Sequence, residues 1–303
     1  MQRIGLLLVG LSGLATTRGS AQEATGTTLW RVAATTLATP PALARGAAAA
    51  LWNPAQTEDS ARFQLAFEAI QTPSSVDASG VIGTIRIPAG TIGHLGLIYG
   101  RVGLSDITQT TDSPDPTGSV AVYTYTFGTN WSKQLSGTNV GATLAFHETR
   151  LDVHSDSRWT LDVGASRALG KDGDLFRVAL ATHFFSSLTA DDPAQDVYAG
   201  VEARIWRGPV SEGGDRTVIR GRYGISFAHG FTADHQLGVG AEFSKVVTFD
   251  LLFAREGGYG EGSWRPVAGL GLNIGKYRIA VARDAGVNEL GSAYRVGVEA
   301  RFK

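Results

Sequence analysis

Hydrophobic and polar residues alternate along most of this chain, and the alternation is clearest near its C-terminal end. From residue 294 onward, every second side chain is apolar, while charged residues and glycine occupy the positions between. The apolar set is Tyr294, Val296, Val298, Ala300 and Phe302, and the polar set is Arg295, Gly297, Glu299 and Arg301. Because successive side chains of a β-strand point to opposite faces, this period of two predicts a strand with one apolar and one polar face.

The same period recurs along the chain from Arg62 and predicts about fourteen strands in all, an even number of the kind found in closed outer-membrane barrels. A soluble secreted sandwich or barrel has the same alternation, with the apolar face as its core. The even strand count, the loop lengths and the aromatic residues near strand ends favour the membrane protein. We therefore predict an all-β fold, a transmembrane antiparallel β-barrel over residues 61–303 whose apolar face meets lipid.

The connections between the predicted strands alternate between long and short. The long ones are Gln71–Ala78, Leu104–Gly118, Asp152–Ser157, Ser187–Gln195, His229–His235, Glu256–Gly262 and Asp284–Leu290. The short ones are Pro88–Gly90, Leu135–Thr138, Gly170–Gly173, Lys245–Val246 and Gly275–Lys276. Outer-membrane barrels have long extracellular loops and short periplasmic turns, which matches this alternation. The segment Gly208–Asp215 is an exception: either it is a longer periplasmic turn, or one strand has been divided wrongly.

The N-terminal residues have a different character and predict export from the cytoplasm. A positive start at Arg3 precedes the uncharged apolar run Ile4–Leu14, and small residues follow at Gly19–Ala21. This is the pattern of a secretory signal peptide, and the run is too short to cross a bilayer as a helix. We predict a signal peptide over residues 1–21, a mature chain that begins near Gln22, and the cell outer membrane as its destination.

Residues 22–60 lack the two-residue period and are predicted to form a separate segment. Thr28–Leu37 fits either a short strand or a helix. The alanine-rich stretch Ala42–Trp52 favours a short helix. Asn53 followed by Pro54 ends this helix, because the residue before proline avoids the α region.

Composition excludes several classes of partner and chemistry. The whole chain has a net charge of −1, and loss of Arg3 and Arg18 with the signal peptide changes it to −3 (25 basic against 28 acidic residues), which argues against nucleic acid as a partner. The absence of cysteine removes disulfides and thiolate metal sites. No two histidines have the spacing of a metal site with a carboxylate nearby. The mature sequence also contains no Gly-x-Ser-x-Gly motif and no phosphate-binding loop. We predict no cofactor, no metal and no enzymatic activity.

If the apolar face meets lipid, the polar face lines the lumen of the barrel. The predicted luminal charges are Arg86, Arg177, Glu202, Arg204, Arg220, Arg222, Glu242, Asp250, Arg278, Arg295, Glu299 and Arg301. Their mixed signs predict a network of ion pairs across the wall. Many glycines lie on the same face and leave room there. The only sizeable segment available to fill that room is residues 22–60, which we predict to be a plug.

The stretch Arg45–Ala55, with the sequence RGAAAALWNPA, resembles the N-terminal segment of the FadL-like outer-membrane proteins. This superfamily includes the long-chain fatty-acid transporters and the PorV/PorQ-type proteins linked to type IX secretion. The resemblance implies a fourteen-stranded barrel whose N-terminal segment folds into the lumen as a hatch. By that analogy Trp52, Asn53 and Pro54 lie at the junction of plug and wall.

Two functional hypotheses follow from these observations. The leading one is a passive conduit for small hydrophobic or amphipathic solutes, gated by the plug. The alternative is a non-enzymatic scaffold of the PorV type that serves a secretion or surface-attachment system. Either protein requires outer-membrane lipid and the barrel-assembly machinery as partners, and we expect Tyr294 and Phe302 to form the C-terminal assembly signal.

Overall fold

The computed structural model describes residues 25–46, 48–55, 63–73, 77–104, 107–110, 116–170, 175–186, 194–209, 216–228, 232–255, 264–286 and 291–302. These residues form one α-helix, α1 (Thr25–Thr35), three short 3-10 turns (Pro41–Leu43, Ala48–Leu51 and Gly90–Ile92), and sixteen strands. The strands are β1 (Phe63–Gln71), β2 (Ala78–Pro88), β3 (His94–Leu104), β4 (Thr108–Thr110), β5 (Pro116–Ser119), β6 (Val122–Leu135), β7 (Thr138–Leu151), β8 (His154–Leu169), β9 (Phe176–Phe185), β10 (Ala194–Arg207), β11 (Thr217–Ala228), β12 (Asp234–Phe243), β13 (Val247–Arg255), β14 (Trp264–Ile274), β15 (Tyr277–Asp284) and β16 (Ala293–Phe302). The predicted signal peptide, residues 1–21, lies outside the described residues. None of the described helices is both long enough and apolar enough to cross a membrane.

Fourteen strands form one closed antiparallel barrel, as predicted. Each barrel strand pairs with its neighbours in sequence, except that β3 pairs with β6 because β4 and β5 form a small hairpin between them. The barrel closes where β1 pairs with β16, with Phe63 opposite Phe302 and Gln71 opposite Tyr294. Closure leaves none of the fourteen strands with an unpaired edge.

The two faces of the wall differ sharply in polarity. In β1, Phe67 is 55% exposed on the outside, whereas its neighbour Ala66 is 3% exposed on the inside. Every barrel strand contributes exposed large hydrophobic side chains to the exterior, and charged side chains such as Arg86 and Arg295 are buried within. The arrangement is the reverse of a soluble barrel, whose apolar face forms the core.

The hairpin of β7 and β8 corrects one predicted loop. Asp152–Ser157 was expected to be a long loop, but only Asp152 and Val153 separate the two strands. Residues 154–157 belong to β8 and pair with residues 148–151 of β7. Polar residues occupy both faces of this end of the hairpin, so the hydrophobic period stops before the hydrogen-bonded ladder does. By contrast, β10 and β11 pair directly, so the long connection after Arg207 is a longer turn and not a wrongly divided strand.

Residues 25–55, described except for Ala47, lie inside the barrel, and we call them the luminal segment. The stretch that fitted either a strand or a helix forms α1, which buries Leu29, Trp30 and Ala33. The helix predicted over Ala42–Trp52 is wrong, because two 3-10 turns occupy this stretch. Gly46 lies between these turns with a φ of 91°, a left-handed conformation that interrupts an α-helix and that glycine adopts at little cost.

Candidate functional site

Glycines of the barrel wall leave space into which the luminal segment packs, and we call this packed position its seat. At six luminal glycines, a β-carbon would lie closer than 3.0 Å to an atom of this segment. The pairs are Gly100 with Trp30, Gly141 with Pro54, Gly164 with Asn53, Gly200 with Leu43, Gly224 with Pro40 and Gly269 with Ala38. The missing side chains therefore allow the segment to approach the backbone of strands around the whole barrel.

Trp52, Asn53 and Pro54 are buried where the luminal segment meets β6, β7 and β8. The side-chain nitrogen of Asn53 donates a hydrogen bond to the Ala42 carbonyl (2.9 Å). The side-chain oxygen of Asn53 accepts a hydrogen bond from the backbone N–H of Ala55 (3.0 Å). Asn53 thus ties the two ends of the alanine-rich stretch together. The Pro54 carbonyl accepts a hydrogen bond from the Asn130 side chain of β6 (3.3 Å), which joins the segment to the wall.

Aromatic packing fixes the indole of Trp52. Its ring lies 6.2 Å from that of Trp30 and 6.4 Å from that of His183, both in edge-on geometry. The guanidinium carbon of Arg295 lies 5.7 Å from the centre of the same ring, within the range of a cation–π interaction. Trp52 therefore links the luminal segment to β9 and β16 at once.

Glu202 is the centre of a charged group on β10 to β13. It contacts Arg45 of the luminal segment, and its carboxylate accepts a hydrogen bond from Arg222 Nε (2.7 Å). Arg220 Nε lies 3.8 Å from Glu202, and Arg220 Nη1 lies 3.1 Å from Glu242. Arg222 also pairs with Asp250. Five of the predicted luminal charges thus form one connected group that also holds the luminal segment.

The remaining predicted charges lie elsewhere on the luminal wall. Arg295 Nε lies 3.0 Å from Glu68, and Arg301 Nε donates to Glu299 (2.8 Å). Three others have separate surroundings: Arg86 donates to Gln64 (3.2 Å), Arg177 donates to the Leu43 carbonyl (3.4 Å), and Arg204 lies opposite Arg220 in register. Arg278 lines a cavity described below.

Tyr294 and Phe302 face outward, and the Phe302 ring lies 5.4 Å from that of Phe63 across the closing seam.

Sequence reasoning missed two parts of this interior. The first is Arg45, which lies in a segment without a two-residue period. The second is the buried pair of Arg265 and Asp284 near the opposite end of the barrel. Pro266 obscured the start of β14 in the sequence. In the structure Arg265 and Val267 face inward and Trp264 faces outward, so the two-residue period does extend to this end of the strand.

A buried histidine pair lies against the luminal segment. His183 Nδ1 lies 2.6 Å from the Asp162 carboxylate, and His147 makes contacts of 2.7 Å with both Thr126 and Thr160. Both rings are shielded from solvent, and the His183 ring packs on Phe185 at 4.5 Å. These contacts position the side chains that surround Trp52.

Two cavities lie on either side of the luminal segment. The larger, about 430 Å³, extends to the short turns at Lys245 and Lys276. The smaller, about 90 Å³, lies towards the end of the barrel where β12 and β14 begin, with Arg265 in its wall. Leu37 and Thr39 line both cavities, so the segment is the partition between them.

No family model matches this chain, and no curated protein matches its sequence. Several solved barrels are similar in fold. The outer membrane protein Omp33 of Acinetobacter baumannii is 10% identical with a TM-score of 0.43, over 80% of this chain and 98% of that chain. The toluene transporter TbuX of Ralstonia pickettii is 12% identical with a TM-score of 0.48, over 85% and 96%. A mutant of the Rh. blastica porin is 8% identical with a TM-score of 0.40, over 79% and 99%.

Proposed function

We propose that this chain is an outer-membrane barrel that acts as a passive conduit for small hydrophobic or amphipathic solutes, with the luminal segment as its gate. The position of Leu37 and Thr39 between two cavities carries this proposal. A solute that entered at one end would meet the segment before it reached the other. Movement of the segment would therefore connect the two cavities.

The exterior supports a membrane location. Thirteen of the fourteen barrel strands have 9 to 16 residues, which meets the length of about 9–11 tilted residues needed to cross the hydrocarbon region, and β15 has 8. An apolar band over every strand is stable in lipid and would aggregate in water. Export through the predicted signal peptide of residues 1–21 would bring the chain to this membrane.

The C-terminal strand is proposed to direct assembly of the barrel. Phe302 and Tyr294 project outward from β16, the strand that completes closure by pairing with β1. We infer that the barrel-assembly machinery recognises these side chains before the seam closes. Phe302 then packs against Phe63 in the finished barrel.

A scaffold of the PorV type is the second candidate, and the charged group around Glu202 favours it. Arg45, Arg220 and Arg222 all meet this carboxylate, so the group ties the luminal segment to the wall. A permanently seated segment would suit a barrel that binds partners at its surface. Recovery of secretion-system proteins with the intact barrel from native membranes would support this candidate.

A reversible covalent lock tests the conduit. The chain contains no cysteine, so Asn53→Cys with Gly164→Cys introduces a single pair. Because a β-carbon built on Gly164 would meet the end of the Asn53 side chain, sulfur atoms introduced at the two positions would lie next to each other, as a disulfide requires. Single-channel conductance in planar bilayers would be measured with the pair oxidised and then reduced.

The expected result is a closed barrel when oxidised and a conducting one when reduced. Asn53→Cys alone and Gly164→Cys alone serve as controls, since neither forms the bond and neither should respond to reductant. Equal conductance in the two redox states would reject the luminal segment as the gate. Absence of conductance in every form would reject the conduit and leave the scaffold.

A further inference from the structure

The larger cavity has an excess of positive charge. Its lining contains eight lysine and arginine side chains and four carboxylates. Glu202, which lies behind Arg45 and Arg222, adds a fifth carboxylate. Eight positive charges against five leave an excess of three, and low-dielectric walls concentrate the field of such a cleft on any ion within it.

Arg295 is the most unusual of these cations. Its side chain is only 6% exposed, and its Nε lies 3.0 Å from Glu68. Its other two nitrogens, Nη1 and Nη2, have no hydrogen-bond partner among the described residues. A buried guanidinium with unused donors is costly, and a carboxylate or phosphate group would satisfy two of them at once.

Other donors around the same cavity also lack partners within the described part of the chain. They are Arg278 Nε, Thr248 Oγ1 and the indole nitrogen of Trp52. With Nη1 and Nη2 of Arg295 they make five such atoms, whereas the Glu68 carboxylate is paired with Arg295 Nε. Donors therefore outnumber acceptors, as the binding of an anion requires.

The luminal segment supplies an apolar surface to the same cavity. Ala44, Ala48, Ala49, Trp52 and Leu37 form this surface, and Thr36, Thr39 and Arg45 lie beside it. A volume of about 430 Å³ lies within the range of small-molecule sites, roughly 300–1,000 Å³. The cavity thus combines cationic groups on the barrel wall with an apolar surface on the segment.

We propose that this cavity binds a small organic anion, with a carboxylate or phosphate group on Arg295 and a short apolar body against the luminal segment, while the other cations of the lining, Arg278 among them, add to the field that attracts it. Trp52 covers the Arg295 guanidinium, so full engagement of the anion shifts the indole and loosens the seated segment. The inference rests on the proposed conduit in that it names the class of solute for which the gate opens.

Isothermal titration in a non-ionic detergent tests the site, with the full mature barrel, benzoate as the probe and benzamide as its neutral isostere. We expect benzoate to bind and benzamide not to bind. Arg295→Gln should weaken benzoate binding roughly tenfold or more, because hydrogen bonds to a charged group are lost. Binding should also weaken as salt rises, since ions screen the attraction.

Arg283→Gln is the matched control, because Arg283 is exposed on the neighbouring strand β15 and pairs with Ser292. Equal affinity in Arg295→Gln and Arg283→Gln, equal binding of the two probes, or no binding of benzoate would overturn the proposal. If Arg295→Gln does not fold, Arg278→Gln replaces it under the same criterion. Benzoate binding without conductance would reject the conduit and retain the anion site. Conductance without benzoate binding would reject the anion site and retain the conduit.

Discussion

The side-chain oxygen of Asn53 occupies the space beside Gly164 in which a β-carbon would have to lie. Pro54 Cδ and the Ala55 nitrogen are only 3.1 and 3.2 Å from the same point, so the junction has little freedom to yield. Gly164→Ala should therefore displace the luminal segment from the wall while β8 keeps its pairing. The expected result is a higher open probability in single-channel recordings, measured against the unsubstituted barrel.

Gly83→Ala is the control for this substitution. Gly83 lies on β2, and no atom of the described residues lies within 4 Å of a β-carbon built on it. Gly83→Ala removes a glycine from the wall without touching the luminal segment. The open probability of this variant should therefore match that of the unsubstituted barrel. An unchanged Gly164→Ala would mean that the contact with Asn53 does not hold the segment in place.

The second prediction concerns the hydrogen bonds of Asn53 itself. Asn53→Ala removes the donor to the Ala42 carbonyl and the acceptor for the Ala55 amide. Each buried group left without a partner costs about 1–3 kcal/mol, so the segment should leave its seat more often. Trypsin cleavage after Arg45 reports this opening and should become roughly tenfold faster, because proteolysis follows the population of the open form.

Mass spectrometry of the fragments measures the cleavage rate. Gln134→Ala provides the comparison, since Gln134 is exposed at the end of β6 and is remote from the segment. Its cleavage rate should equal that of the unsubstituted chain. If Asn53→Ala is cut no faster than Gln134→Ala, the two hydrogen bonds do not control the seating of the segment.

The sequence predicted the strands and their faces well, because both depend on a local period. Arg295 and Val296 differ in polarity along the chain, and the closed wall places them on opposite faces as the period requires. The end of the β7–β8 hairpin was mispredicted because both of its faces are polar. Beyond the end of the hydrophobic period, the hydrogen-bonded ladder continued to the pair of Leu151 and His154 beside the turn.

The interior contacts could not be predicted in the same way, because they join residues that are distant in sequence. Glycines on the luminal face indicated free room, but nothing local shows that Gly200 receives Leu43 and Gly164 receives Asn53. Likewise, Arg45 meets Glu202 across 157 positions. Such pairs depend on the path of the luminal segment through the closed barrel, which no period encodes.

The third prediction addresses Glu202 as the shared partner of three guanidinium groups. Glu202→Gln leaves Arg45, Arg220 and Arg222 close together without their common counter-charge. Because the Glu202 side chain is 5% exposed, breaking these pairs should lower the free energy of unfolding by roughly 3–5 kcal/mol. Urea unfolding in lipid vesicles measures the change, and added salt should restore part of it by screening the repulsion.

Glu242→Gln tests whether the large cost expected for Glu202→Gln arises from the burial of Glu202 and from its three arginine partners. Glu242 forms an ion pair with Arg220 (3.1 Å), and its side chain is 26% exposed. Its loss should cost less than about 1 kcal/mol, as for a solvated ion pair. Equal costs for the two substitutions would contradict the central role of Glu202.

The last prediction tests whether the exterior lies in lipid. Leu161 is 57% exposed at the middle of β8, and Val153 is 75% exposed at the tip of the same hairpin. Arginine in the middle of a bilayer destabilises a barrel by about 2–4 kcal/mol, but by only about 0–1 kcal/mol near the interface. Leu161→Arg should therefore lower the free energy of unfolding from lipid vesicles far more than Val153→Arg. Both sites are exposed and neither contacts the luminal segment, so a similar small cost at both would indicate that water, not hydrocarbon, surrounds the barrel.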